Sequence, residues 1–273
     1  GRSDLIDIEI GQQGALDWKV NSGSDLSEIA GASRSAFGQA GNHVTSAKWF
    51  SGTLTTHSYA ELNGSRIVWN ALAPGGFLRK KSFGTRNSFV LSGADFNGNG
   101  ISDAAIIEPL SNGEFEWRIA PDFFKSRRPR VIRKHGKRGD VPFFAAYAGT
   151  RDWLAVLRAR TSSDYRILLR HPTSSARRVI SLGSLPAGSL RPMPVAQDNG
   201  GDLIAFAKRS QSSTTVTFVD MSGHTVDEHT FPLTGEIVSG NFLPAAGGEI
   251  GILGDEGIRF YNPATSESSA LNW

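Results

Sequence analysis

Apolar and polar residues alternate in short runs along the whole chain. "SDAAIIEPLSNGEFEWRIA" from Ser102 reads as strand, Gly/Asn turn, strand. "RDWLAVLRARTSSDYRILLR" from Arg151, "GDLIAFAKRSQSSTTVTFVD" from Gly201 and "GEIGILGDEGIRFYNP" from Gly248 repeat that plan. So, upstream, do "SDLIDIEIGQQGALDWKV" from Ser3 and "THSYAELNGSRIVWNAL" from Thr56. An alternation of period two, rich in Val, Ile, Phe and Trp and interrupted by turn residues, predicts β-strands. No stretch carries the 3.6-residue periodicity of a helix.

The hairpins recur at a fixed distance. An acidic residue precedes the first strand at Asp4, Asp103, Asp152, Asp202 and Glu249, and His57 stands near the missing place. Two periods, 99 residues, separate Asp4 from Asp103, and the later steps are 49, 50 and 47. Between hairpins lie two further strand candidates. One is "FLRKKSFG", "RVIRKHG", "RRVISLG" or "EHTFPLTG"; the other is "NHVTSAKWF", "NSFVLSGAD", "VPFFAAYAG", "RPMPVAQD" or "EIVSGNFL". Four short strands per period of about 49 residues are the signature of propeller blades. The expected fold is all-β: one β-propeller domain over residues 1–273, built of four-stranded antiparallel blades. Six hairpins predict six blades, with seven as the alternative. Rings close by mixing strands from both ends, so the tail "SESSALNW", similar in pattern to "GALDWKV", is expected to complete the first blade.

Composition changes this picture little. A chain of 273 residues, 39% hydrophobic and 20% charged, is folded rather than disordered. It contains no cysteine, which excludes disulfides and thiolate metal sites. No run of about 18 apolar residues predicts a membrane span. The opening "GRSDLIDIEI" lacks a signal-peptide layout and reads as the start of a mature or excised chain. The net charge is +3, but eight Lys/Arg fall within "KSRRPRVIRKHGKR", so the rest of the chain carries −5.

The densest chemical motif is "GADFNGNGISDAAII". With Asp95 as position one, Asn97, Asn99, Ile101 and Asp103 are positions three, five, seven and nine, and Gly100 is position six. Oxygen-bearing residues at alternate places, a main-chain carbonyl at seven and a glycine at six wrap one hard cation. An all-oxygen set favours Ca²⁺. Position twelve is Ile106, so this is not an EF-hand. The alternative is an Asx-rich turn without metal. The loop resembles the FG-GAP/VCBS repeat family, which includes the integrin α-subunit propeller, through "DFNGNGISD" and its setting "SFVLSGADFNGNGISDAAI". "AQDNGGDL" is a shortened remnant of it, and "AYAGTRDW" and "LPAAGGEI" lack the ligands. The resemblance implies Ca²⁺ held by Asp95, Asn97, Asn99, the Ile101 carbonyl and Asp103, weakened by the two asparagines. It also implies a binding or adhesion module of a larger exported protein, extracellular, cell-surface or periplasmic, with a glycan or protein ligand.

Two further features concern partners. In the assumed blades, turns after the first and third strands share one disc face, that of the metal loop. Cationic residues crowd the outermost strands and the loops beside them: Arg79, Lys80 and Lys81; then Arg127, Arg128, Arg130, Arg133 and Lys134 with Lys137 and Arg138; then Arg177 and Arg178. Charge on an exposed edge blocks edge-to-edge pairing. It also suits a polyanion such as an acidic polysaccharide. Nucleic-acid binding usually adds aromatic stacking platforms. Phe123 and Phe124 read instead as packed, so nucleic acid is not the expected partner. Arg138-Gly139-Asp140 spells the tripeptide that integrins recognise, in an expected exposed loop; chance supplies it in about a few per cent of such chains.

No H-E-x-x-H or G-x-S-x-G motif is present. The densest titratable trio, Asp227, Glu228 and His229, falls on an outer strand, and Glu114 and Glu116 alternate on one strand face. The expectation is therefore a non-catalytic protein. A polysaccharide lyase or hydrolase on a propeller, and a purely structural or assembly domain, are the alternatives.

Overall fold

Each 49-residue period becomes one antiparallel sheet. In the computed structural model, residues 5–21, 33–51, 56–125, 130–132, 134–149, 151–185, 191–197, 201–240, 242, 247–255 and 257–272 are described. Blade 1 comprises β3 (His43–Ala47), β4 (Thr56–Asn63), β5 (Arg66–Leu72) and β6 (Leu78–Thr85). Blade 2 comprises β7 (Phe89–Leu91), β8 (Ala104–Pro109), β9 (Phe115–Ala120) and β10 (Arg130–Ile132). Blade 3 follows with β11 (Val141–Ala146), β12 (Asp152–Thr161), β13 (Asp164–Arg170) and β14 (Arg177–Gly183). Blade 4 holds β15 (Met193–Val195), β16 (Leu203–Arg209), β17 (Thr214–Val219) and β18 (Thr225–Phe231). Blade 5 holds β19 (Glu236–Gly240), β20 (Glu249–Gly254), β21 (Gly257–Asn262) and β22 (Glu267–Asn272). In every blade the strands pair in chain order.

The ring is a propeller of five four-stranded blades, not six or seven. Two observations explain the difference. The tail does not complete the first repeat: as β22 it pairs with β21 from Asn262↔Glu267 to Gly257↔Asn272. A tight turn makes that local pairing far less costly in loop-closure entropy than a return to the other end of the chain. The first repeat is instead a hairpin, β1 (Leu5–Ile10) with β2 (Leu16–Asn21), and among the described residues β1 has no inner strand beside it. On the other side of β2, bridges Trp18↔Arg34 and Ala15↔Gln39 bring residues 34–39 to where a fourth strand would lie.

A recurring tryptophan marks that equivalence. Trp69 and Trp117, on the third strands of blades 1 and 2, donate their indole N–H to Phe83 O (2.8 Å) and His135 O (2.7 Å). Trp18 on β2 donates likewise to Phe37 O at 2.6 Å. A buried indole N–H needs such an acceptor.

The core lies between blades. Period-two alternation sends neighbouring residues of each second strand into different seams. On β8, Ala104 and Ile106 join Trp49, Trp69 and Phe123 between blades 1 and 2, while Ala105 and Ile107 join Trp117, Leu154 and Val156 between blades 2 and 3. On β12, Ala155 and Leu157 face Ile204 and Phe206 of blade 4. Val216 and Phe218 meet Ile250 and Ile252 between blades 4 and 5. The hairpin packs Leu16 and Trp18 against Tyr59 of blade 1. This is why β8 reads as four consecutive buried residues: a strand covered on both faces has no polar side to show.

Candidate functional site

The Asp95–Asp103 loop joins β7 to β8 and turns through Gly98 and Gly100, both in the left-handed region at φ 77° and 78°. A Cβ is strained there, which accounts for the glycines. Asp95 organises the turn. Its Oδ1 accepts N–H bonds from Gly98 (2.7 Å) and Asn99 (3.1 Å), and its Oδ2 accepts one from Gly100 (2.6 Å). The Asn97 side-chain Oδ1 accepts from Asn99 N–H at 3.0 Å and that of Asn99 from Ile101 N–H at 2.9 Å.

Asp103 is fully buried. Its carboxylate accepts from Phe96 N–H (2.9 Å) and Asp122 N–H (2.8 Å), with the Asn97 amide at 3.4 Å. Burial, only partly offset by the two main-chain donors, pushes its carboxyl up to about 6, with Asp95 and Asp122 adding like charge. Asp122 was not foreseen. It sits in the turn after β9, on the same disc face as the loop, and accepts from the Asn99 amide at 2.8 Å.

The residue types are those of a hard-cation donor set: carboxylates of Asp95, Asp103 and Asp122, and amide oxygens of Asn97 and Asn99. An under-compensated buried carboxylate beside two others is where a divalent ion would act, and carboxylate oxygens retain acceptor capacity beyond their N–H bonds. Among the described residues no three acidic or histidine side chains converge as a ready cage. The asparagine and main-chain oxygens would have to complete the shell.

The acidic marker of the repeat has a second job that its spacing alone does not reveal. Asp152 N–H donates to Asp95 O (3.0 Å), and Asp95 N–H returns a bond to Asp152 Oδ2 (2.6 Å). Asp202 and Ala146 exchange the same pair, at 2.8 and 2.7 Å. Ser102 and Lys48 do so at 2.8 and 3.0 Å. Gly248 N–H donates to Ala196 O at 2.6 Å, and Glu249 accepts from Phe242 N–H at 2.6 Å. Three of these exchanges tie the end of one blade's inner strand to the start of the next blade's second strand, and the Gly248–Ala196 bond spans a fourth seam. The carboxyls are held in low-dielectric seams, and burial raises Asp152 to about 7 and Asp202 to about 6. The sequence signal was present as the 49-residue recurrence; the partner, 56 or 57 residues upstream, was not visible.

The cationic residues divide. Arg79 and Lys80 are exposed on β6. Lys81 turns inward, donating to Phe123 O at 2.5 Å with its ammonium 4.9 Å from the Phe123 ring centre. It belongs to a seam rather than to a surface patch. Arg127, Arg128 and Arg133 lie outside the described residues, and for Arg130 only the strand backbone is described. Lys134 pairs with Glu114 at 2.8 Å. Lys137 and Arg138 are exposed. Glu116 pairs with Arg118 at 3.0 Å.

The tripeptide Arg138-Gly139-Asp140 does not present its carboxylate. Asp140, its side chain 2% exposed, takes both arms of Arg158 at 2.8 and 2.7 Å and accepts from Lys137 N–H at 2.7 Å. An integrin would need that carboxylate free. The trio on β18 is likewise structural in contact: Asp227 accepts from the Tyr261 hydroxyl and the His229 ring stacks on Tyr261 at 3.9 Å, joining blades 4 and 5.

No protein-family profile matches the sequence, and no curated protein matches it. Among solved structures it is similar to a chain described as the AfRom2 CNH domain, at 10% identity and TM-score 0.43, covering 100% of this chain and 87% of that one. At that level the likeness carries no functional weight. No helix among the described residues is long and apolar enough to cross a membrane.

Proposed function

We propose that the chain is a non-catalytic binding module on an FG-GAP/VCBS-like propeller, stabilised by Ca²⁺ at the Asp95–Asp103 loop, with a glycan or protein ligand in an extracellular, cell-surface or periplasmic setting. The observation that supports it most is the loop itself. Five oxygen-bearing side chains, Asp95, Asn97, Asn99, Asp103 and Asp122, gather at one face of blade 2, with a buried carboxylate whose charge the protein compensates only in part. Bound there, the cation would supply that compensation and hold the loop against Asp152 of blade 3. Asp95 positions the turn, Asp103 holds it through Phe96 N–H and ties it to Asp122 N–H, and Asp122 brings the second turn of the same face to it.

Calorimetric titration with CaCl₂ tests the reading. Wild type is expected to bind one Ca²⁺, and Asp95→Asn, which keeps an acceptor for the turn but removes a charge, to bind at least tenfold more weakly. Equal heats for both proteins would sink the calcium site. A glycan array with wild type tests the binding role. Chain cleavage of a polysaccharide by the purified protein would favour the enzymatic alternative instead.

A further inference from the structure

The rim of the seam between blades 2 and 3 opens into a cavity of about 430 Å³. That is within the size range of small-ligand sites, about 300–1,000 Å³. The loop after β10 contributes Lys137. The face of blade 3 contributes Arg158 and Arg160 from β12, Arg166 and Leu168 from β13, and Val179 from β14. Leu168 and Val179 are register partners, and Val179 is 59% exposed, so the cavity has an apolar floor. Arg158 and Arg166 stand directly opposite each other across two strands. Like charges so placed repel and destabilise a sheet.

Two carboxylates answer these four cations. Asp140 is committed to Arg158 through two bonds. Asp164 lies 3.3 Å from Arg160 and 3.9 Å from Arg166. The second distance is too long for a hydrogen bond. The Arg166 Nε is buried and has no hydrogen-bond partner among the described residues. Such a group costs about 1–3 kcal/mol when left unsatisfied. Lys137 has no ion-pair partner among the described residues either. Among the described residues the cavity therefore carries two more positive charges than its two carboxylates offset, and an unsatisfied guanidinium donor. Exposed Arg177 on β14 and Arg138 in the loop continue the charge outside it.

We propose that this cavity is a subsite for one acidic residue of a polysaccharide, a uronate or a sulfated sugar. A guanidinium fork matches a planar carboxylate or a sulfate, and the Leu168–Val179 floor suits the apolar face of a ring. Among the described residues no aromatic ring lines the cavity, so it lacks the stacking platform of single-stranded nucleic-acid sites. The inference rests on the binding-module reading but not on the calcium loop, which follows the first strand of blade 2 and so lies at the other disc face from the loop that bears Lys137.

The test is affinity of the full chain for polygalacturonate and for dextran sulfate at about 150 mM NaCl, in CaCl₂ and in EGTA, with oligodeoxythymidylate as a third probe. Wild type is expected to bind one of the two glycans. Arg166→Gln and Lys137→Gln should each weaken that binding about tenfold, and Lys208→Gln, at the exposed end of β16, should stay within twofold. Lys137 is exposed, so its variant reads the site even if Arg166→Gln folds poorly. The glycan that binds tells carboxylate from sulfate. Failure to bind either glycan, equal losses in Lys208→Gln, or tighter binding of the oligonucleotide would each overturn the proposal. Glycan binding of equal strength in CaCl₂ and in EGTA would show that the subsite works independently of the calcium loop, whose own failure is read from the CaCl₂ titration.

Discussion

At the residue scale, titrating groups in the seams pull stability in opposite directions. Asp202 accepts from Ala146 N–H, and burial raises its carboxyl from 3.8 to about 6. The folded protein therefore binds that proton more tightly than the unfolded chain. Its contribution is fully present below about pH 3.8 and is lost as pH rises through about 6. His135, bonded to Leu168 O at 3.0 Å, is held down to about 4, first by burial and then by Arg170 and Arg177, which outweigh the hydrogen bond and Asp140. Its contribution is present above 6.5 and lost as pH falls towards 4. The two effects overlap between about pH 4 and 6.5, so only variants separate them. Asp202→Asn should gain on wild type by about 2 kcal/mol between pH 4 and 7, read from urea midpoints. A constant difference across that range would show that Asp202 is solvated. The ion pair of Arg158 with Asp140 gives a second prediction. Arg158→Leu leaves a carboxylate that is 2% exposed without its partner and should cost about 3 kcal/mol in urea unfolding. A loss under about 0.5 kcal/mol would mean that solvent reaches Asp140.

At the element scale, nearly every strand was legible. Period-two alternation and the 49-residue step place every strand of the five blades except the outer strand of the fifth, because alternation is a local property of a strand. What was not legible was closure. Whether "SESSALNW" joins the first repeat or its own blade depends on the turn between Asn262 and Glu267, and the local pairing prevails. Lys81 was misread for a similar reason: its position on an outer strand was visible, but the Phe123 carbonyl that draws it inward comes from the next blade. The tryptophans of the third strands carry a stability prediction. Trp117 is fully buried between blades 2 and 3, and its indole bonds the loop that bears Lys137. Trp117→Phe should cost about 2 kcal/mol through the orphaned His135 carbonyl and the lost volume, whereas Trp117→Ala should cost about 3–5 kcal/mol. Chemical denaturation of the two variants measures both values, and equal, small losses would place Trp117 outside the core.

At the scale of the whole molecule, the candidate sites follow from how blades meet. Asp152 and Asp202 each fasten a blade to its neighbour through a paired main-chain exchange, and the Asp95–Asp103 loop, rich in oxygen-bearing side chains, is the partner of Asp152. The spacing of the loop's Asp and Asn residues could be read directly, since they lie in one contiguous stretch from Asp95 to Asp103. Asp122 could not, because it arrives from another turn of the same face. The cationic cavity at the rim of the same seam was equally hidden. Its lysine and its arginines come from different blades, and only the packed seam sets them together.

Thermal unfolding of wild type and Asp95→Asn, in about 5 mM CaCl₂ and in EGTA, tests the central claim most directly. An ion that binds only the folded loop at about 100 times its dissociation constant adds about 2.7 kcal/mol. For a domain of this size that is a rise in Tm of roughly 5 °C or more. The account predicts such a rise in wild type and its absence in Asp95→Asn. The same Tm in calcium and EGTA for wild type would contradict it and leave the Asp95–Asp103 loop as a hydrogen-bonded turn.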